Sequence, residues 1–150
     1  MRIERSATLV AAADAAFAMV DDLGRYPEWM DLVHEVTDVP SGERPTWEVE
    51  LQARVGPFAR SKRLRMERTV HDPNRRVVFE RREVDGRSHS PWVLDSTLEP
   101  LGDSRVLLTM VLTYGGNLWA GAVLERVLDD HVERGTEALA ALLAPTVRDA

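Results

Sequence analysis

With 150 residues, of which 44% are hydrophobic and 29% charged, the chain has the length and composition of one globular domain. Its net charge of −6 argues against a general nucleic-acid-binding protein, and the absence of cysteine excludes disulfides and thiolate chemistry. No apolar run approaches the roughly 20 residues of a membrane-spanning helix, and the first residues lack a secretory segment. We therefore expect a cytoplasmic protein with no integral membrane segment.

Charge is unevenly distributed along the chain. Residues 54–87 contain eleven Arg and Lys against five Asp and Glu, whereas the remaining residues contain eight against twenty. The basic segment is either the solvated face of two strands or an anion-attracting patch near the mouth of a cavity.

The first 33 residues predict one strand followed by two helices. Residues 2–10 alternate well enough for a strand. The alanine-rich segment 11–23 favours a helix, which Gly24 would end. Pro27 suits the first turn of a second short helix that runs to residue 33, because the N–H that proline lacks is not needed there.

From residue 34 to residue 114 the apolar residues recur with a period of two, which is typical of strands that bury one face. Residues 46–55 show it most clearly, since apolar side chains alternate there with charged and polar ones. Turn residues such as Gly56-Pro57 separate the segments. The pattern predicts an antiparallel meander with strands over residues 46–55, 60–70, 76–84, 90–98 and 105–114.

Residues 118–143 predict one long helix with an apolar stripe at 3.6-residue spacing. The stripe includes Val127, Val132 and Gly135, and Pro145 ends the pattern. Strands that are apolar on one face need a cover, and this helix is the only predicted element long enough to provide it. The predicted fold is therefore α+β, with a curved antiparallel sheet wrapped around the C-terminal helix.

The segment from Asp22 to Trp29 contains the pattern D-x-x-x-Y-P-x-W, with Tyr26 and Pro27 at its centre. Together with the strand order and the long last helix, this pattern resembles the START/Bet v 1-like (SRPBCC) superfamily. It is most similar to the bacterial polyketide cyclase/dehydrase and lipid-transport group. The resemblance spans nearly the whole chain and implies a helix-grip fold, with residues 1–150 as a single domain around an internal cavity. Members bind lipids, hormones, quinones or polyketides, only some are enzymes, and no catalytic motif is common to all.

The predicted cavity wall consists of the inward apolar side chains and a segment that covers the open end of the sheet. Its aromatic and methionine content favours an adaptable pocket, although the same residues would also serve as solid core. Tyr26 and Trp29, with Met30 and Leu32, would form the rim of the pocket or a plug that seals the core. The strands contribute Trp47, Val49, Leu51, Leu64, Met66, Phe79, Trp92, Leu94, Met110, Leu112 and Tyr114, and the last helix contributes Val127 and Gly135.

A few positions could act on a ligand in such a cavity. His131 lies on the apolar stripe of the last helix and could transfer protons near neutral pH, or serve as a satisfied core residue. Tyr114 could donate a phenol hydrogen bond, and Gly135 could make room for a ligand or only for close packing. Arg68 and Arg81 could face inwards and bind a carboxylate or polarise a carbonyl, or lie on the surface.

Two main hypotheses for the function follow. The first is binding or transport of a hydrophobic small molecule, lipid-like or polyketide-like. The second is a cyclase/dehydratase that moves protons with His131, Tyr114 and an inward arginine. A third, a protein-interaction module that exposes Trp119 in a dimer, stays open, so we expect either a monomer or a homodimer.

None of these hypotheses includes a cofactor or a metal. The sequence has no nucleophile elbow, phosphate-binding loop or dinucleotide fingerprint, so no cofactor is expected. Its four histidines are too widely spaced for a metal-ligand motif, so no metal site is predicted.

Overall fold

The computed structural model describes residues 1–40, 43–115 and 122–145. The strands β1 to β7 span Arg2–Leu9, Val33–Val39, Thr46–Val55, Phe58–Asp72, Arg76–Arg81, Trp92–Pro100 and Val106–Tyr114. The helices α1 and α2 span Ala13–Val20 and Ala122–Leu143, and a 3-10 helix spans Leu23–Glu28. No helix in this part of the chain is long and apolar enough to cross a membrane.

The strands form one antiparallel sheet in the order β1-β7-β6-β5-β4-β3-β2. Strands β2 to β7 are therefore neighbours in chain order, and β1 pairs with the free side of β7. The sheet curves around α2, which packs against β1 and β3. This arrangement is the helix-grip fold, and it confirms the predicted α+β class and the antiparallel meander.

An ion pair and apolar contacts hold α2 on the sheet. The Arg5 guanidinium of β1 donates to both carboxylate oxygens of Asp129, with its Nε at 2.8 Å. Several side chains of the predicted apolar stripe, such as Leu128, Val132 and Leu139, are buried. The predicted helix start at residue 118, and Trp119, lie outside the described residues.

The predicted second helix over residues 27–33 is wrong in its position, because a 3-10 helix occupies Leu23–Glu28 instead. This helix begins early because the Asp22 carboxylate accepts a hydrogen bond at 2.8 Å from the N–H two residues later. It ends early because the Tyr26 carbonyl accepts hydrogen bonds from the N–H groups three and four residues later, at 3.0 and 2.7 Å. The chain then enters β2 at Val33.

The β3–β4 hairpin extends beyond the strands on either side of it. β3 and β4 stay paired out to Val55 and Phe58, with Gly56 and Pro57 as the turn. Gly56 has a φ of 61°, the positive value that the first turn residue of a type II′ hairpin requires. In the neighbouring strands, β5 pairs only with residues 66–72 of β4. The distal half of the hairpin is therefore a two-stranded finger.

Candidate functional site

An apolar cavity of about 60 Å³ lies between the concave face of the sheet, the 3-10 helix and α2. Nine predicted wall residues line it: Tyr26, Val49, Leu51, Leu64, Met66, Phe79, Trp92, Leu94 and Leu112. The lining is completed by Leu23, Met30, Leu32, Val33 and Val132. All of these side chains are apolar or aromatic, so the cavity offers a ligand dispersion contacts and no charged group.

Aromatic rings pack together on one wall of the cavity. The Tyr26 ring lies 4.6 Å from that of Trp29 and 6.0 Å from that of Phe79, which in turn lies 5.5 Å from Trp47. The Tyr26 hydroxyl donates to the Val20 carbonyl at 2.8 Å, so its polar end is satisfied away from the cavity. Burial raises the pKa of the Tyr26 phenol, which keeps the group neutral.

Some predicted wall residues, among them Trp29, Trp47 and Met110, are buried but lie outside the cavity lining. The Trp29 indole N–H donates to the Met19 carbonyl at 3.1 Å, which ties the segment after the 3-10 helix to α1. Trp47 packs edge-on behind Phe79. Met110 is fully buried within β7. These side chains therefore belong to the core that surrounds the cavity.

Gly135 makes room for another side chain of the protein. A Cβ atom at this position would lie 2.7 Å from both the Sδ and the Cε atoms of Met30, closer than Cβ atoms approach other groups. Met30 itself lines the cavity. Of the two possibilities for the space beside Gly135, a ligand or close packing, the structure shows packing, because Met30 occupies that space where α2 and the segment after the 3-10 helix approach closely.

An open groove of about 550 Å³ runs between α2 and the β3–β4 hairpin, and His131 and Val127 line this groove rather than the cavity. His131 is 8% exposed, and its Nδ1 lies 2.7 Å from Oδ1 of Asp31. Because a carboxylate can only accept, the contact with Asp31 places the proton on Nδ1 rather than on Nε2, while Nη2 of Arg134, which can only donate, lies at the longer distance of 3.2 Å from the same Nδ1. Arg134 lies 3.5 Å from the same carboxylate. The groove is therefore polar where the cavity is apolar.

Tyr114 is buried at the end of β7 and lines neither the cavity nor the groove. Its ring lies 5.4 Å from that of Trp92, and its hydroxyl has no hydrogen-bond partner among the described residues. Burial raises the pKa of this phenol, and the carboxylates of Glu125 and Asp129 raise it further. The structure therefore does not bring Tyr114 and His131 to a common site.

Arg68 and Arg81 occupy inward strand positions, opposite Phe79 and Met66 in the sheet register. Neither lines the cavity. The Arg68 guanidinium donates to the backbone carbonyl of Asp21 at 2.9 Å. Arg81, whose side chain is 10% exposed, donates to a carboxylate at 3.2 Å and to a backbone carbonyl at 3.4 Å. Both cations are thus engaged by the protein at the edges of the concave face.

One group of possible metal ligands occurs in the described part of the chain, in the segment between β5 and β6. Ligand atoms of Glu83, Asp85 and His89 lie within 4.8 Å of one another. The His89 Nε2 already lies 2.8 Å from the Asp85 carboxylate, and the Glu83 carboxylate accepts from the Arg65 N–H at 2.8 Å. Internal contacts occupy these groups, so they suggest no ion.

A comparison of the chain with models of known protein families shows which family it belongs to. The model described as polyketide cyclase/dehydrase and lipid transport matches residues 1–144. The chain belongs to this family. The two classes of molecule in this family description, polyketides and lipids, are both largely hydrophobic. No functionally curated protein matches the chain in sequence.

Solved structures of several proteins share the fold of this family member. A START superfamily protein from Mycobacterium smegmatis superposes with a TM-score of 0.76 at 16% identity, covering 95% of this chain and 96% of that one. The Zhui aromatase/cyclase from Streptomyces sp. R1128 gives 0.69 at 16% identity, with 99% and 96% covered. The Aha1 dimer from Colwellia psychrerythraea gives 0.63 at 9% identity, with 95% and 96% covered. At sequence identities this low, the structural similarity shows only that the chain shares the helix-grip fold with these proteins.

Proposed function

We propose that this protein binds and carries a hydrophobic small molecule in the cavity between the sheet and α2. The observation that supports the proposal most directly is the chemistry of the lining, whose side chains are all apolar or aromatic. The hydroxyl of the lining residue Tyr26 donates to the Val20 carbonyl instead of pointing a free polar group at a ligand. A lining of this kind selects ligands by shape and hydrophobicity rather than by charge.

The cavity must expand to take a ligand of ordinary size. Its volume of about 60 Å³ is below the roughly 150 Å³ that holds benzene in an engineered cavity. Two of its lining residues, Met30 and Met66, have flexible side chains that can change rotamer at low cost. We propose that Met30 moves most, because it packs against Gly135, where the helix has no side chain to hold it.

Filling the cavity tests this proposal. In Leu112→Phe, the larger ring would occupy the cavity space that Leu112 borders in β7. Leu107→Phe is the matched control, since Leu107 lies in the same strand but at a position of opposite parity, on the other face of the sheet. We expect Leu112→Phe to abolish binding of an apolar fluorescent probe, and Leu107→Phe to bind as the wild type does.

Two results would count against the proposal. One is equal probe binding by Leu112→Phe and the wild type, with both proteins folded by circular dichroism. The other is the repeated failure of native mass spectrometry to find a bound small molecule on protein purified from its own host.

A second candidate function is cofactor-independent cyclisation or dehydration of a poly-β-ketone, and the contact between His131 and Asp31 favours it. Asp31 holds the Nδ1 proton, so Nε2 could take a proton from the carbon between two carbonyls. The resulting enolate carbon would attack a second carbonyl of the substrate, and the aldol product would then lose water. The similarity in fold to an aromatase/cyclase is consistent with this reaction class.

The test is product formation from a synthetic poly-β-ketone by the wild type and by His131→Ala. If the second function holds, the variant should lose most of the rate while its probe binding in the cavity persists. An unchanged product and rate would remove His131 from any mechanism.

A further inference from the structure

We propose that the tip of the β3–β4 hairpin, residues 54–63, docks on an anionic lipid surface. Phe58 stands at this tip with 69% of its surface exposed, whereas Phe17 and Phe79 are 4% and 0% exposed. The Gly56-Pro57 turn and the pairing of Phe58 with the end of β3 fix its position at the end of the finger. Phe58 thus presents a large, exposed apolar side chain at the end of a two-stranded finger.

The finger is also the most consistently basic part of the chain. Residues 51–66 contain five Arg and Lys and no Asp or Glu, although the whole chain carries a net charge of −6. Arg54 and Arg60 are exposed next to the tip, and neither forms an ion pair within the part of the chain that the structure describes. Arg63 is exposed too, with only a long contact of 3.5 Å to Glu50. These cations are available for an external anionic partner.

The combination of exposed cations and an exposed aromatic side chain favours a lipid surface over other partners of the hairpin tip. Cationic side chains bind lipid phosphates, while an aromatic side chain at the same level enters the boundary between head groups and acyl chains. A protein partner would need roughly 800 Å² of matching surface, more than a narrow tip offers. A second copy would bring the same positive charge against this one. The acidic remainder of the chain would repel a nucleic acid that extends beyond the tip.

Docking by this tip would set the orientation of the whole molecule. Because the remaining chain is acidic, an anionic surface attracts only the basic finger. Ala53, Arg54 and Ala59 of the finger also line the groove beside α2. The groove would therefore open close to the lipid surface. Any benefit of this orientation for the exchange of a ligand with the lipid depends on the proposed carrier function. The docking itself does not depend on that function.

Vesicle flotation of the full chain tests the proposal. The probes are phosphatidylcholine vesicles with and without phosphatidylglycerol, and wild-type protein should float only with the anionic vesicles. Replacing Phe58 by serine should weaken this partitioning about tenfold, since a buried phenylalanine contributes that much in transfer. Arg60→Gln should weaken it about fivefold, the effect of one cation near an anionic surface, and added salt should reduce the binding further.

Val84→Ser is the matched control for Phe58→Ser. Val84 is 77% exposed, and it lies beside Glu83 and Asp85 instead of among cations. Neither residue fills the core, so both variants should fold as the wild type does, and only Phe58→Ser should lose vesicle binding. Leu112→Phe should still float with anionic vesicles, because it fills the cavity and leaves the tip intact, so failure of ligand binding and failure of docking are distinguishable.

Three results would overturn the proposal. The first is wild-type protein that floats with neutral and anionic vesicles to the same small extent. The second is anionic-vesicle binding that Phe58→Ser and Arg60→Gln leave unchanged. The third is a dimer in sedimentation that Phe58→Ser dissociates, because the tip would then be an interface between two copies of the chain.

Discussion

The cavity and the groove are opposite in chemistry, yet neighbouring residues separate them at two places. In the segment after the 3-10 helix, Met30 lines the cavity and Asp31 lines the groove. On α2, Val132 lines the cavity and His131 lines the groove. Packing of apolar side chains shapes the cavity, whereas charged and polar contacts shape the groove. Changes of similar size should therefore have large effects on the cavity side and small effects on the groove side.

The largest effect is expected from Met30→Ala. Met30 is 3% exposed, and truncating a buried methionine costs about 2–5 kcal/mol in the free energy of unfolding. The same change enlarges the cavity, so apolar probe binding should become tighter although the protein is less stable. Urea unfolding and fluorescence titration measure the two quantities. Met19→Ala is the control, since Met19 is 7% exposed in α1 and lies outside the lining. A parallel gain in probe binding by Met19→Ala would show that the site is elsewhere.

An alkaline titration should report on the burial of two phenols, that of Tyr26 in the cavity wall and that of Tyr114 outside it. Burial raises the pKa of both tyrosines, Tyr26 and Tyr114, so the unfolded chain loses their protons at a lower pH than the folded protein does. Stability is then fully present below the ordinary pKa near 10 and falls as the pH rises above it, by about 1.4 kcal/mol per pH unit for each tyrosine. Phenolate absorbance in the native protein should stay low until the protein unfolds.

Tyr26→Phe provides the control for this titration. It should reduce the pH slope of the unfolding free energy above pH 10 by about half, because one of the two buried phenols is gone. At neutral pH the loss of the hydrogen bond to Val20 should cost about 1 kcal/mol. A native protein whose phenols both ionise near pH 10 would contradict the burial of these side chains.

The alternation of apolar residues was enough to predict every strand except β2, because the period of two records which face a strand buries, and β2 buries few of its residues. Residues 46–55 illustrate this, since the predicted strand and the observed β3 have the same bounds. The 3.6-residue spacing likewise predicted that His131 and Val132 lie on the covered side of the last helix. Local patterns carry this information because each reports on the burial of its own element.

Contacts between distant residues could not be predicted in this way. His131 and Asp31 are 100 residues apart, so no local pattern indicated that their side chains would form a hydrogen bond. Arg68 has an inward position by strand parity, yet a backbone carbonyl 47 residues away accepts its hydrogen bond. Gly135 stands out in the sequence because glycine is unusual within a helix. Its contact with Met30, however, depends on how α2 packs against the segment after the 3-10 helix. Such pairings decide which inward residues face the cavity.

A smaller effect is expected where the helix and the cavity wall meet at Gly135. In Gly135→Ala the new methyl group would displace the end of the Met30 side chain, which can only move towards the cavity or the groove. The gain in helix propensity, about 1 kcal/mol, should roughly offset the cost of that displacement, so the unfolding free energy should change little. Probe binding should fall, however, and adding Met30→Ala to the same protein should restore it. Unchanged probe binding in Gly135→Ala would show that Met30 moves into the groove instead.

The smallest effect on stability is expected from Asp31→Asn, on the groove side. The Asp31 side chain is 63% exposed, and its contacts with His131 and Arg134 are therefore screened by solvent, so the change should cost less than about 1 kcal/mol. Probe binding should be that of the wild type, because the neighbouring Met30 still lines the cavity. A cyclase, in contrast, would lose rate, because the neutral asparagine amide does not stabilise a protonated His131 as a carboxylate does and can turn its NH2 group instead of its oxygen towards Nδ1. Only the second candidate function thus predicts a loss of function for this substitution, which lies one residue away from the side chain whose truncation should cost the most stability.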